Sequence, residues 1–136
     1  MRRIFLSCLL VLAFFSFSLD AHALNPIRVE VLFMNHGPMQ PTVKQMRELF
    51  SGYGDRIDVT WYDLDTREGQ QFMTKKGLRE HIPLMIWIDG NVTVRIGQKE
   101  TRFTGFPAGS GPDSFQGKWT MQDLKAALDQ ATVRKR

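Results

Sequence analysis

The chain has 136 residues, of which 43% are hydrophobic and 24% charged, with a formal net charge of +4. That length supplies one ordinary domain with enough chain to bury a core. The only cysteine, Cys8, lies near the start, so a disulfide framework within the rest of the chain is excluded.

Residues 1–23 read as a signal peptide. Met1-Arg2-Arg3 is a basic start, residues 4–17 are a nearly unbroken apolar run, and Ala21-His22-Ala23 fits the small-x-small rule before a cleavage site. The apolar run is short for a membrane span of about 20 residues. An exported protein, periplasmic or secreted, is therefore expected, without stable membrane insertion after cleavage; an uncleaved anchor is the other reading. Cleavage removes Arg2, Arg3 and Asp20, leaving a net charge of +3 on residues 24–136. Arg134-Lys135-Arg136 supplies all of that excess. The body is thus near neutral, residues 133–136 read as a solvated basic tail, and no nucleic-acid partner is expected.

Residues 28–34 alternate around Val29, Val31 and Phe33 and read as a buried first strand. Residues 35–41 hold a Gly and two Pro and read as a loop, with Pro41 suited to the first turn of a helix. Val43, Met46, Leu49, Phe50 and Tyr53 then recur at helical spacing, and Gly52 and Gly54 stop the helix. Residues 57–64 form a second strand. Asp65-Thr66 opens a second helix that runs to about Arg79. The continuous apolar run over residues 84–88 is typical of a central strand covered on both faces.

Asp89-Gly90 or Gly90-Asn91 makes a tight turn into a strand over residues 92–96, and residues 100–106 add an edge strand. Thr120 with Asp123 resembles a capping box, and Met121, Leu124, Ala127, Leu128 and Ala131 line one face of the last helix. This order demands an α/β fold, a mixed central β-sheet with helices on both faces. Residues 107–119 fit no regular element. Three Gly, two Pro and two Ser make them an inserted loop. It reads as a surface crossover whose aromatics, Phe115 and Trp119, tuck onto the core; a binding loop is the alternative.

Three stretches carry a family resemblance. Phe33-Met34-Asn35-His36-Gly37-Pro38-Met39 looks like a first strand running into a redox loop. Tyr62-Asp63-Leu64-Asp65 looks like a strand ending in an acidic pair. Residues 76–92, with Gly77-Leu78-Arg79, His81-Ile82-Pro83 and Asp89-Gly90-Asn91, are similar to a G-[IV]-R-x-x-P-T-strand-x-[ND]-G segment. In this order they resemble the thioredoxin family, from about Val29 to Leu128, nearly the whole of residues 24–136. The resemblance implies a thioredoxin-like fold and a cis Ile82–Pro83 peptide facing the 36–39 loop. It also implies that the backbone of Ile82 pairs with an extended peptide, by strand addition. The departures are as informative. His36-Gly37-Pro38-Met39 replaces Cys-Gly-Pro-Cys, Asn35 replaces the preceding aromatic, and Leu84 follows the proline in place of Thr. Thiol–disulfide exchange needs a thiolate and a second sulfur that resolves it, and neither position offers one.

Three functions fit what remains. The first is a redox-inactive protein- or peptide-binding module of adaptor or chaperone type, with a groove of His36, Gly37, Pro38, Met39, Ile82 and Pro83 and no cofactor. The second is a metal site of Met34, His36, Met39 and His81, whose thioether and imidazole donors suit Cu(I). The third is a non-thiol enzyme in which His36 works beside Asp63 or Asp65. No elbow, triad or phosphate loop accompanies that pair, so no catalytic residue is assigned.

Overall fold

A computed structural model describes residues 25–135; the expected signal peptide, Leu24 and Arg136 lie outside the described residues. Strand β1 (Ile27–Phe33) is central. It pairs in parallel with β2 (Ile57–Asp63) and antiparallel with β3 (Leu84–Ile88), giving a small mixed sheet in the order β2-β1-β3. Helix α1 (Gln40–Ser51) links β1 to β2, and α2 (Arg67–Lys75) links β2 to β3. Strands β4 (Thr93–Ile96) and β5 (Lys99–Arg102) form a hairpin, and α3 (Met121–Arg134) closes the chain.

The alternation along β1 builds two cores. Val29, Val31 and Phe33 pack with Val43, Met46 and Phe50 of α1 and with Leu124, Ala127 and Leu128 of α3. Leu32 turns to the other face and packs with Phe72 and Met73 of α2 and with Trp87. Helices therefore cover both faces, as the pattern of elements demanded. Glu30 shares the α2 face. It is a buried carboxylate whose Oε2 lies 2.7 Å from the Lys76 ammonium, itself set over the rings of Phe72 and Trp87.

Several expectations shift. The second helix ends at Lys75 rather than near Arg79, because Gly77 takes a φ of +70° that turns the chain out of the helix. Asp63 and Asp65 precede it, and Thr66 is its cap, accepting from the Gly69 N–H at 3.1 Å. Tyr53 lies beyond the end of α1 and reaches across to α3, where its hydroxyl donates to the Asp129 carboxylate at 2.8 Å. The Asp89-Gly90 turn is as tight as expected, with the Ile88 and Asn91 backbones bonded both ways.

The hairpin, however, is a separate two-stranded sheet. Only its continuation joins β3. The Ile86 N–H donates to the Phe103 carbonyl at 3.0 Å and the Gly105 N–H to the Leu84 carbonyl at 2.8 Å. The basic tail is also less free than expected. Helix α3 takes in Val133 and Arg134, and the Lys135 ammonium lies 3.1 Å from the Asp89 carboxylate.

The cis Ile82–Pro83 bond is overturned: the described residues contain no cis peptide. The trans form is the ordinary preference at X-Pro bonds by about 0.5–1 kcal/mol. In this arrangement the Pro83 carbonyl already accepts the Met34 N–H at 3.0 Å.

The capping box at α3 is present as expected. The Asp123 carboxylate accepts from the Thr120 N–H at 2.9 Å, while the Asp123 N–H donates to the Thr120 hydroxyl at 3.1 Å. Burial pushes this carboxyl up; the Thr120 N–H, the Lys99 ammonium and the Thr120 hydroxyl outweigh that and hold it below its ordinary value. A carboxylate depressed in the folded state stabilises above its unfolded pKa, about 3.9, and loses that contribution as pH falls through the folded value. Asp123→Asn should therefore cost about 1 kcal/mol at pH 7 and progressively less below about pH 4. Urea midpoints of both proteins measured from pH 7 to strong acid should converge; parallel curves would remove the cap from the account.

Candidate functional site

The β1 chain leaves the sheet at Phe33 and enters a 3-10 turn at Gly37–Met39 that runs directly into α1. The expected loop over residues 35–41 is thus mostly helical. Gly37 permits the turn with a φ of +28°, and Pro38 and Pro41 sit in first turns, where a missing N–H costs nothing. Met39 is fully buried and anchors the turn to the core, while His36 and Pro38 stay exposed.

Opposite this turn, residues 78–83 lead into β3. Among the described residues, the backbone of residues 79–82 makes no hydrogen bond to other backbone, while the Leu78 N–H donates to the Met73 carbonyl and the Pro83 carbonyl accepts the Met34 N–H.

The 107–119 loop supplies the third wall. It is not loose padding. The Phe106 N–H donates to the Phe115 carbonyl at 2.9 Å, the Gly117 N–H to the Phe106 carbonyl at 2.7 Å, and the Ala108 N–H to the Trp119 carbonyl at 2.7 Å. Gln116 stitches the loop across itself, accepting from the Gly109 N–H at 2.9 Å and donating to the Asp113 carboxylate at 3.0 Å. Backbone passes so close to backbone that a Cβ on Gly105 would strike the Phe115 carbonyl, and one on Gly117 the Thr104 carbonyl. The expectation for its aromatics holds for one residue only. Trp119 is fully buried, edge-on to Phe103, and its Nε1–H donates to the Gly105 carbonyl at 3.1 Å. Phe115 remains 51% exposed.

These three walls enclose an apolar pocket of about 190 Å³. The turn contributes His36, Pro38 and Met39, with Met34 just before it; the β3 approach contributes His81 and Pro83; the loop side contributes Phe106, Pro112 and Phe115. Of the groove expected from sequence, His36, Pro38, Met39 and Pro83 come together, and Gly37 and Ile82 do not line the pocket. The Ile82 side chain packs toward the α2 core, and the residue borders an adjoining open groove of about 340 Å³ that runs past His81, Pro83 and Phe115 toward Arg102 and Gly117.

All four soft donors considered from sequence, Met34, His36, Met39 and His81, border the pocket. Asp63 and Asp65 do not; the Asp63 carboxylate accepts the Asp65 N–H at 3.0 Å and shapes the entry to α2. Among the described residues no three His, Cys, Asp or Glu side chains gather to hold a metal ion, and no helix is long and apolar enough to cross a membrane.

Sequence reasoning missed Phe106, Pro112 and Phe115 as pocket residues. The usable signal was the loop itself, rich in Gly and Pro and carrying aromatics. What sequence could not supply was which aromatic turns inward. No protein-family model and no curated protein matches the chain.

Proposed function

We propose that the protein is an exported, thioredoxin-like domain that has lost thiol chemistry and binds an extended peptide by seating one apolar side chain in the pocket beside His36 and Phe115. The observation that carries the reading is the pocket's make-up. A turn, a proline-led strand approach and a loop from three separate parts of the chain converge on one apolar cavity, and its rim residue Phe115 is a large aromatic left half in solvent. Beside it the backbone of His81 and Ile82, which pairs with no other backbone among the described residues, offers main-chain bonds to a strand laid alongside. The order of elements, the turn at the head of α1 and Pro83 facing that turn support the thioredoxin-like reading. The trans Ile82–Pro83 bond departs from that family's pattern. The absence of any cysteine beyond Cys8 removes the family's chemistry while leaving its groove.

The test uses short capped peptides with a central Leu, Met or Phe in a Ser/Thr background, and a central-Ser control. Burying a Leu-sized side chain stabilises a complex by about 1.5–3 kcal/mol, so the apolar peptides should bind at least about tenfold more tightly than the control by calorimetry. Phe115→Ser should erase most of that preference without unfolding the domain, because the ring is half exposed. Equal affinity for apolar and Ser peptides would end this reading.

A further inference from the structure

We propose that the same pocket holds one Cu(I) ion, ligated by the thioether sulfurs of Met34 and Met39 and the imidazoles of His36 and His81. All four side chains border one cavity of about 190 Å³, although they come from the end of β1, the turn before α1 and the approach to β3. Neither imidazole makes a hydrogen bond to any described residue, so both ring nitrogens are free to ligate. Met39 is buried and is one of the residues that line the cavity.

The donor set selects the metal. Two thioether and two imidazole ligands carry no charge, and among the described residues no carboxylate borders the cavity. Hard cations such as Mg²⁺ and Ca²⁺ need oxygen ligands, and Zn²⁺ is held most often by thiolate, imidazole and carboxylate. Soft sulfur with imidazole suits Cu(I). The surroundings agree. Pro38, Pro83, Phe106 and Phe115 make the walls apolar, and a monovalent ion is the least costly cation to desolvate there.

The inference stands apart from the peptide reading, since either occupant can be tested without the other. The experiment titrates Cu(I) anaerobically into the full chain carrying Cys8→Ser, which removes the only thiol, against a chromophoric Cu(I) chelator. One equivalent should bind, and X-ray absorption should show sulfur as well as nitrogen around the metal. Met34→Leu and His81→Ala should each weaken binding by at least about tenfold, the scale on which even a ligand's supporting partner acts. Met34→Leu keeps apolar bulk, so it should leave the Leu-peptide preference in place; loss of copper alone separates the two readings. His36→Gln gives a third variant in an exposed position should another fail to fold. Binding that none of these variants weakens, or a copper site without sulfur, would overturn the proposal.

Discussion

Trp119→Ala should lower the unfolding free energy by about 3–5 kcal/mol, the usual cost of truncating a fully buried Trp. Trp119 has no exposed surface, meets Phe103 edge-on with ring centroids 5.5 Å apart, and gives its N–H to the Gly105 carbonyl. It is also where the 107–119 loop rejoins the core, next to the cap of α3. A small domain holds about 5–15 kcal/mol in all, so this one change takes a large share. Trp119→Phe keeps most of the ring and loses only the donor, leaving the Gly105 carbonyl short of a partner at a cost of about 1–3 kcal/mol. Urea unfolding of the three proteins should rank them wild type, Phe, Ala. An Ala variant within about 1 kcal/mol of wild type would mean that the loop is not anchored here.

The second large effect concerns the ion pair under α2. Glu30 sits on the central strand, nearly out of solvent, and Lys76 is its partner at 2.7 Å. Lys76→Met leaves that carboxylate buried without a counter-charge. The expected loss is about 3 kcal/mol, at the low end for a broken buried pair because Lys76 keeps some exposure. Replacing both residues tells more. Glu30→Leu with Lys76→Met exchanges the pair for apolar packing and should fold within about 1 kcal/mol of wild type, since well-packed hydrophobic replacements of buried pairs are often neutral or stabilising. A double-mutant cycle in urea should therefore show strong coupling. Additive losses would show that the two side chains act independently.

The Glu30–Lys76 contact also marks the limit of what the sequence makes legible. The periodicities that announce β1, α1, β3 and α3 are local, and the structure has each of them within a few residues. The capping box at Thr120 and the Asp89-Gly90 turn depend on spacings of a few residues and were equally readable. Glu30 and Lys76 are 46 positions apart, and nothing local in either marks a partner.

The site divides in the same way. Met34, His36, Pro38, Met39, His81 and Pro83 were singled out from two short stretches, and the fold does bring them to one cavity. Pro112 and Phe115 arrive there only because the 107–119 loop folds back along residues 104–106, a path set by close glycine contacts and by Trp119. The cis bond failed for a different reason. It came from the resemblance alone, and the local chemistry of an Ile-Pro bond favours trans.

The central claim is that the pocket bounded by His36, Pro83 and Phe115 is where the protein meets its partner. The competing location is the crevice of about 380 Å³ between the Asp89 turn and α3, bordered by Arg95, Ala131 and Arg134. Titrating the central-Leu peptide into isotope-labelled protein and following methionine methyl and backbone amide resonances distinguishes them directly. The account predicts saturable, concerted shifts at the Met34 and Met39 methyls and at the His81, Ile82 and Phe115 amides, with the Arg95, Ala131 and Arg134 signals unmoved. Shifts confined to that second crevice, or none at the pocket at saturating peptide, would contradict it.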